Sequence, residues 1–192
     1  LQSHVSENLG EIEWVKELFP ERKGYVDVYH HYGHLGERSI LGHGVHLTEE
    51  EFQVLHDTGT AISHCPTSNL FLGSGLFSIE KAMDEKRPIR VGLATDLGAG
   101  TNFSQLVTMN EAYKVAQMNG YSLSAHHAYY LATRGAANAL YLDDKIGSIE
   151  VGMEADIAVL DLNATPVLGY RLKYANTLDE VLFVVMTLGD DR

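Results

Sequence analysis

Short runs of β-branched and apolar residues alternate along this chain with longer segments in which apolar residues recur every three or four positions. That alternation is the pattern of a parallel α/β architecture. The first run carries His4, and Ile12, Val15, Leu18 and Phe19 follow at helical spacing, with Pro20 closing that helix or its last turn. Ser39 to His43 predicts a second strand. Thr48-Glu49-Glu50-Glu51 then reads as a capping box, in which the Thr48 hydroxyl and the Glu51 carboxylate satisfy free amides at a helix start. Phe52 and Leu55 of that helix would face the core. Thr60 to His64 predicts a third strand, ended by Cys65-Pro66 and a polar turn, Thr67-Ser68-Asn69. A helix through Phe77, Ile79, Ala82 and Met83 leads into a fourth strand, Ile89 to Asp96. Beyond it, Leu106, Met109, Tyr113 and Ala116 mark a helix that stops at Asn119-Gly120. Ser124 caps another, whose Ala128, Leu131, Ala132, Gly135, Ala136 and Ala139 offer a small-residue face for close packing. Four βα units in succession, over residues 1–143, make half of an eight-stranded barrel.

The pattern changes at about Asp143. Ile149 to Asp156 and Ile157 to Asp161 predict a hairpin or short strands outside the barrel, and a second capping box, Thr177-Leu178-Asp179-Glu180, opens a last apolar helix through Val181, Leu182, Val184 and Val185. Residues 144–192 are therefore expected to stand apart from the barrel.

Composition narrows the function. A formal net charge of −12 leaves no basic stripe to displace phosphate counterions, which argues against a nucleic-acid partner and for a small uncharged or cationic ligand. Hydrophobic residues at 45% with 21% charged fit a globular chain. The single cysteine, Cys65, excludes an internal disulfide and fits a reducing compartment, the cytoplasm; a buried structural thiol is preferred over a nucleophile. No apolar run approaches the roughly 20 residues that span a membrane, and Leu1 opens no signal peptide. The absent initiator Met leads us to expect further residues upstream.

In an α/β barrel the functional groups gather at the carboxyl ends of the strands. His4, His43, His64 and Asp96 each fall near the end of one predicted strand. Any one of them alone would read as structural; their coincidence points to a metal site. Histidine and aspartate are suitable donors for Zn²⁺ or Fe²⁺, and a bound metal lowers the pKa of a water towards about 7. Glu7, three residues after His4, either moves protons beside that water or is a solvated loop carboxylate at the start of the next helix. Other zinc signatures fail: H-x-x-E-H needs histidine where Asn8 stands, and the H-x-E with P-C-x-x-C pattern fails because Cys65 precedes Pro66. Gly98-Ala99-Gly100 has no lysine after it to complete a phosphate loop. His30, His31 and His34 read as a surface loop, His126 and His127 as a helix start, His46 as a loop residue and His56 as a helix surface.

Ser3-His4-Val5-Ser6-Glu7-Asn8, Gly42-His43-Gly44, Ser63-His64-Cys65-Pro66-Thr67-Ser68-Asn69 and Gly92-Leu93-Ala94-Thr95-Asp96 together resemble the second half of an amidohydrolase-superfamily enzyme. The likeness is greatest to the aminohydrolase branch that deaminates purines, and it continues through Gly147 to Gly152 and Met186 to Asp191. It implies the second half of a TIM-like (β/α)8 metal-dependent hydrolase barrel, plus part of a small β-sandwich domain near the C-terminus. It implies His4 and Asp96 as metal ligands on the fifth and eighth strands, Glu7 as proton shuttle, and His43 on the sixth strand as the group that hydrogen-bonds the attacking water or the substrate. These four residues would also bind the substrate. One metal is implied, Zn²⁺ or Fe²⁺, with two further ligands from an H-x-H upstream of Leu1. The implied reaction is hydrolytic deamination of guanine to xanthine and ammonia, in a cytoplasmic homodimer. Phe71 and Leu72 would pack either against the base or in the core. Two alternatives stand beside this reading: a related deaminase or dechlorinase acting on a pterin, an oxidised purine or a triazine, and an inactive fragment. Half a barrel exposes strand edges, so the 192 residues alone are expected neither to fold stably nor to turn over guanine.

Overall fold

The computed structural model describes residues 1–189. Strands β1 (Gln2–Val5), β2 (Ile40–His43), β3 (Ala61–His64) and β4 (Val91–Leu93) form one sheet in chain order, with every neighbouring pair parallel. His4 lies opposite Gly42, Gly42 opposite Ser63, and Ser63 opposite Gly92, so the four carboxyl ends line up along one rim. Strands β2, β3 and β4 are shorter than their sequence patterns suggest, and Asp96 sits three residues beyond the end of β4 rather than within it. Leu41, Ile62, Val91 and Leu93 on one face of the sheet are buried against the helices, as expected of a parallel sheet covered by its crossovers.

The helices follow from local chemistry. Helix α1 (Leu9–Leu18) starts where the Asn8 side chain accepts the Glu11 amide, and α3 (Glu49–Thr58) carries the predicted capping box in full and ends on Gly59 at φ 70°. Between them lies α2 (Tyr25–His31), where a surface loop was expected; His30 and His31 are exposed at its end. Its N-terminus is completed by a residue remote in sequence, since the Val26 amide donates to the Glu51 carboxylate at 3.1 Å. No local pattern announces that bond. The expected polar turn after β3 is helix α4 (Pro66–Leu72): Pro66 occupies the first turn, where its fixed φ suits a helix and its missing N–H is not needed. Thr67, Ser68 and Asn69 face inward and are buried, so their polarity is not a sign of solvent exposure.

Ser78 caps the short α5 (Ile79–Ala82), and α6 (Gln105–Met118) matches its predicted span. The single helix expected from Ser124 onward is two, α7 (Ala125–Ala132) and α8 (Arg134–Ala139), broken where Thr133 leaves the helical region at φ −126°, ψ −93°. The Thr133 hydroxyl donates to the Tyr129 carbonyl at 2.7 Å, a local bond that competes with helix continuation. The hairpin expected between Ile149 and Asp161 is not formed: no strand occurs there among the described residues, and Ile149, Val151 and Val159 are 86%, 108% and 91% exposed. An isolated β-prone segment needs a partner edge to become a strand, and none pairs with it here. Helices α9 (Pro166–Leu172) and α10 (Leu178–Leu188) follow, the latter from the predicted capping box at Thr177. Leu168, Val184, Val185 and Met186 join the same core as Met109, Ala112 and Leu131. Asp190 and Asp191, part of the sequence resemblance, lie outside the described residues.

The small-residue face foreseen around Gly135 and Ala136 lies against β4. A Cβ added to Gly92 would sit 3.0 Å from Ala136 Cα and 3.2 Å from its Cβ. In the complete protein Gly92→Ala should therefore lower unfolding free energy by about 1–3 kcal/mol, the usual cost of overpacking, as measured by urea denaturation. A loss within error of zero would show that α8 can retreat freely.

Candidate metal centre

The aligned strand ends bring His4, His43 and Asp96 together, with one donor atom from each lying within 4.8 Å of the others. Local backbone geometry does much of this. Among the described residues five non-glycine positions have positive φ, and three of them, Ser6 at 46°, His43 at 72° and Asp96 at 47°, sit at this rim. Such conformations cost of order 1–3 kcal/mol each and persist where surrounding bonds hold them. The Gly44 and His46 amides donate to the Val5 and Ser6 carbonyls at 3.0 and 3.1 Å, and the Gly100 amide closes the Asp96 loop at 2.6 Å. Gly42 leaves room beside the His4 ring, since even a Cβ there would lie 3.4 Å from His4 Cδ2. The resulting cavity, 290 Å³, is lined by Ser3, His4, Gly42, His43, Ser63, Cys65, Thr95 and Asp96 among others.

His43 is buried and held on three sides. Its ring stacks on His4 with centroids 5.3 Å apart, Nδ1 lies 2.8 Å from Asn69 Oδ1, and Nε2 faces Glu7 at 3.7 Å and Asp96 at 3.9 Å. Those last two separations exceed a direct hydrogen bond and leave room for a bridging group. Glu7 is not a free loop carboxylate: Ser74 Oγ donates to its Oε1 at 3.1 Å, and its own amide donates to Glu11 at 2.9 Å. His46, expected to be an idle loop residue, supports this arrangement by bonding the Ser74 carbonyl through Nε2 at 2.7 Å. Two imidazoles and a carboxylate converging on one point match the nitrogen and oxygen donors of a Zn²⁺ or Fe²⁺ site. The predicted ligands His4 and Asp96 are both in that cluster, and His43 lies close enough to belong to it as well.

His64, the fourth strand-end residue, is absent from the cluster. Side chains alternate along a strand, so Ser63 lines the cavity while His64 turns to the opposite face and is fully buried against Phe77, with ring centroids 4.9 Å apart. Burial, reinforced by the nearby His43, holds the His64 pKa down to about 3, so the ring is neutral. Cys65 borders the cavity, but burial, with the Asp96 charge adding to it, pushes its thiol up to about 12, the state of an inert structural cysteine. Phe71 and Leu72 are 67% and 54% exposed, so they do not join the core formed by these residues. His56 bonds the Pro88 carbonyl and His126 pairs with Asp179, both at the surface. Asn69 and Ser74 had no motif to announce them. The one available signal was the polar run Thr67-Ser68-Asn69 placed directly after a strand end.

Residues 1–188 match the sequence profile of the amidohydrolase family. The chain belongs to this family. Guanine deaminase of Escherichia coli (strain K12) is 52% identical over all of this chain and 43% of its own length. The solved E. coli guanine deaminase superposes with a TM-score of 0.95 at 52% identity, covering 98% of this chain and 44% of that one. Guanine deaminase from C. acetobutylicum, solved with bound guanine, gives a TM-score of 0.84 at 32% identity over 100% of this chain and 45% of that one. An adenosine deaminase from Xanthomonas campestris, solved with bound zinc, gives 0.83 at 25% identity over 94% of this chain and 40% of that one. The chain thus spans less than half the length of the relatives it matches, and its four strands are the second half of the family's TIM-like (β/α)8 barrel.

Two measurements check this geometry. A Cβ at Gly100 would lie 1.8 Å from the Thr95 carbonyl oxygen, so Gly100→Ala must shift the loop that carries Asp96. It should cut bound metal, by elemental analysis, at least about tenfold at limiting metal, while helix content stays unchanged. His64 bears on acid stability. Its folded pKa of about 3 lies below the ordinary value of 6.5, so between those values the unfolded chain binds a proton that the folded chain refuses. Stability is retained above about pH 6.5 and is lost as pH falls, by up to about 1.4 kcal/mol per pH unit for one proton. Urea unfolding of the complete protein carrying His64→Leu should show a shallower fall from pH 7 to pH 5 than the parent; parallel curves would exonerate His64.

Proposed function

We propose that the protein containing these residues hydrolyses the 2-amino group of guanine, giving xanthine and ammonia. The observation that carries this reading is Glu7 and His43 held beside the His4 and Asp96 donors, in a chain 52% identical to a guanine deaminase. Identity to the adenosine deaminase structure is only 25%, which favours guanine over that purine. His4 and Asp96 would hold Zn²⁺, with two further ligands from an H-x-H outside these residues; the donor set fits either metal and the zinc-bound relative supports zinc. Zinc, when bound, supplies a Lewis acid and a water of lowered pKa.

The chain's own residues supply the proton traffic. Water adds to C2 of the ring as Glu7 takes one of its protons and delivers it to ring N3, so negative charge does not build up on the heterocycle. His43 hydrogen-bonds the attacking oxygen through Nε2, the nitrogen turned towards the two carboxylates. The C2–N bond then breaks as the remaining hydroxyl proton passes by way of Asp96 to the amine, which leaves as ammonia while the C2 hydroxyl becomes the carbonyl of xanthine. Cytoplasmic location is supported by the single cysteine, and the absence of a nucleic-acid partner by the net charge of −12. The homodimer rests on the family likeness alone, and light scattering of the complete protein tests it.

The complete barrel protein, loaded with zinc, should convert guanine to xanthine, detected by mass spectrometry beside pterin and triazine substrates. Glu7→Gln should lower kcat by about 10²–10⁴, the usual worth of a positioned acid–base group, without loss of zinc. Xanthine missing from the guanine reaction would sink the assignment. The isolated 192-residue chain should show neither turnover nor a cooperative melt.

A further inference from the structure

We propose that Asn69 is a positioning residue: through its side-chain carbonyl it fixes the imidazole of His43 with the proton on Nδ1 and Nε2 turned to Glu7 and Asp96. The proposal rests on the reading of Glu7 and His43 as the groups that move protons. Asn69 is 1% exposed, and its Oδ1 lies 2.8 Å from His43 Nδ1. An amide oxygen can only accept, so the hydrogen of that bond belongs to the ring. A neutral His43 then keeps its lone pair on Nε2, which lies 3.7 Å from Glu7 and 3.9 Å from Asp96. With Oδ1 facing the ring, the opposite tautomer would set the Nδ1 lone pair against that of the side-chain carbonyl; a turned-over amide would instead donate from Nδ2, which has no other partner, to an unprotonated Nδ1, and the ¹⁵N spectrum of His43 separates the two arrangements.

The support is itself anchored. The Asn69 amide donates to the Cys65 carbonyl at 3.0 Å and the Asn69 carbonyl accepts from the Ser74 amide at 2.8 Å, which ties α4 to the residue that bonds Glu7. One short segment therefore orients both proton-moving groups, Asn69 on His43 and Ser74 on Glu7. His43 has little freedom to find another partner, since its ring is stacked on His4 and its backbone is in the left-handed region.

The direct test is ¹⁵N spectroscopy of histidine-labelled complete protein, with His43 identified by its loss in His43→Ala. A proton on Nδ1 is expected in the parent and in Asn69→Asp, which keeps an acceptor, and a changed Nδ1 signal in Asn69→Leu. The spectrum is read whether or not the protein turns over guanine, so failure here and failure of the functional reading are distinguishable. In kinetics Asn69→Leu should lower kcat about 10- to 100-fold with zinc content and KM little changed, and Asn69→Asp should recover most of that loss. In the His43→Ala background Asn69→Leu should add less than about a twofold loss, because it has nothing left to orient. An unprotonated Nδ1 in the parent would overturn the proposal, as would losses from Asn69→Leu and His43→Ala that multiply. Should Asn69→Leu not fold, Asn69→Ser gives the same kinetic reading, and the parent spectrum decides without any variant.

Discussion

Alternation along a strand would place His43, paired with Val5, on the face opposite His4, which is paired with Gly42. A left-handed backbone at His43 turns its ring back over His4 instead, and the rest of the site depends on that reversal. Without it Asn69, Glu7 and Asp96 would have no imidazole to surround. The sheet supplies the conditions: parallel pairing lines up the strand ends, and Gly42 puts no side chain against the His4 ring. Comparable turns at Ser6 and Asp96 bring in the adjoining residues from β1 and β4, so the centre is built where regular structure stops. Function tolerates the local strain because amides from the next residues lock each turn.

The hold on these groups comes from outside their own strands. Ser74 and Asn69 reach back from α4 and the residues after it, and Glu11 and Tyr25 secure the loop that carries Glu7, with the Tyr25 hydroxyl donating to Glu11 at 2.9 Å. Apart from Glu11, which holds the Glu7 backbone, the supports are neutral hydrogen-bonding side chains. Neutral supports orient a carboxylate or an imidazole without competing for a cation, which suits a centre whose charged groups must remain available.

Much of this was legible in the sequence because it rests on local chemistry. Both capping boxes, at Thr48 and Thr177, appear as read, and strand-end His4, His43 and Asp96 do converge. His64 shows the limit of counting strand ends: it ends β3 as expected, yet the period of two sends it to the other face. Helix α2 escaped notice because its cap comes from Glu51, and the buried polar residues of α4 passed for a turn because composition alone does not reveal what they face. The segment from Ile149 to Asp161 has strand composition but no strand, since a ladder needs a second edge and local propensity supplies only one.

Cys65 borders the same cavity as the donors, yet its sulfur is not among the atoms that converge there. Its Sγ turns instead to the Ser63 carbonyl, to which it donates at 3.3 Å. The cavity therefore presents nitrogen and oxygen alone, with sulfur in view but withheld. Copper(I) and other soft ions that prize sulfur find no advantage there, while borderline divalent ions lose nothing. The direction taken by one sulfur keeps the converging donors to nitrogen and oxygen.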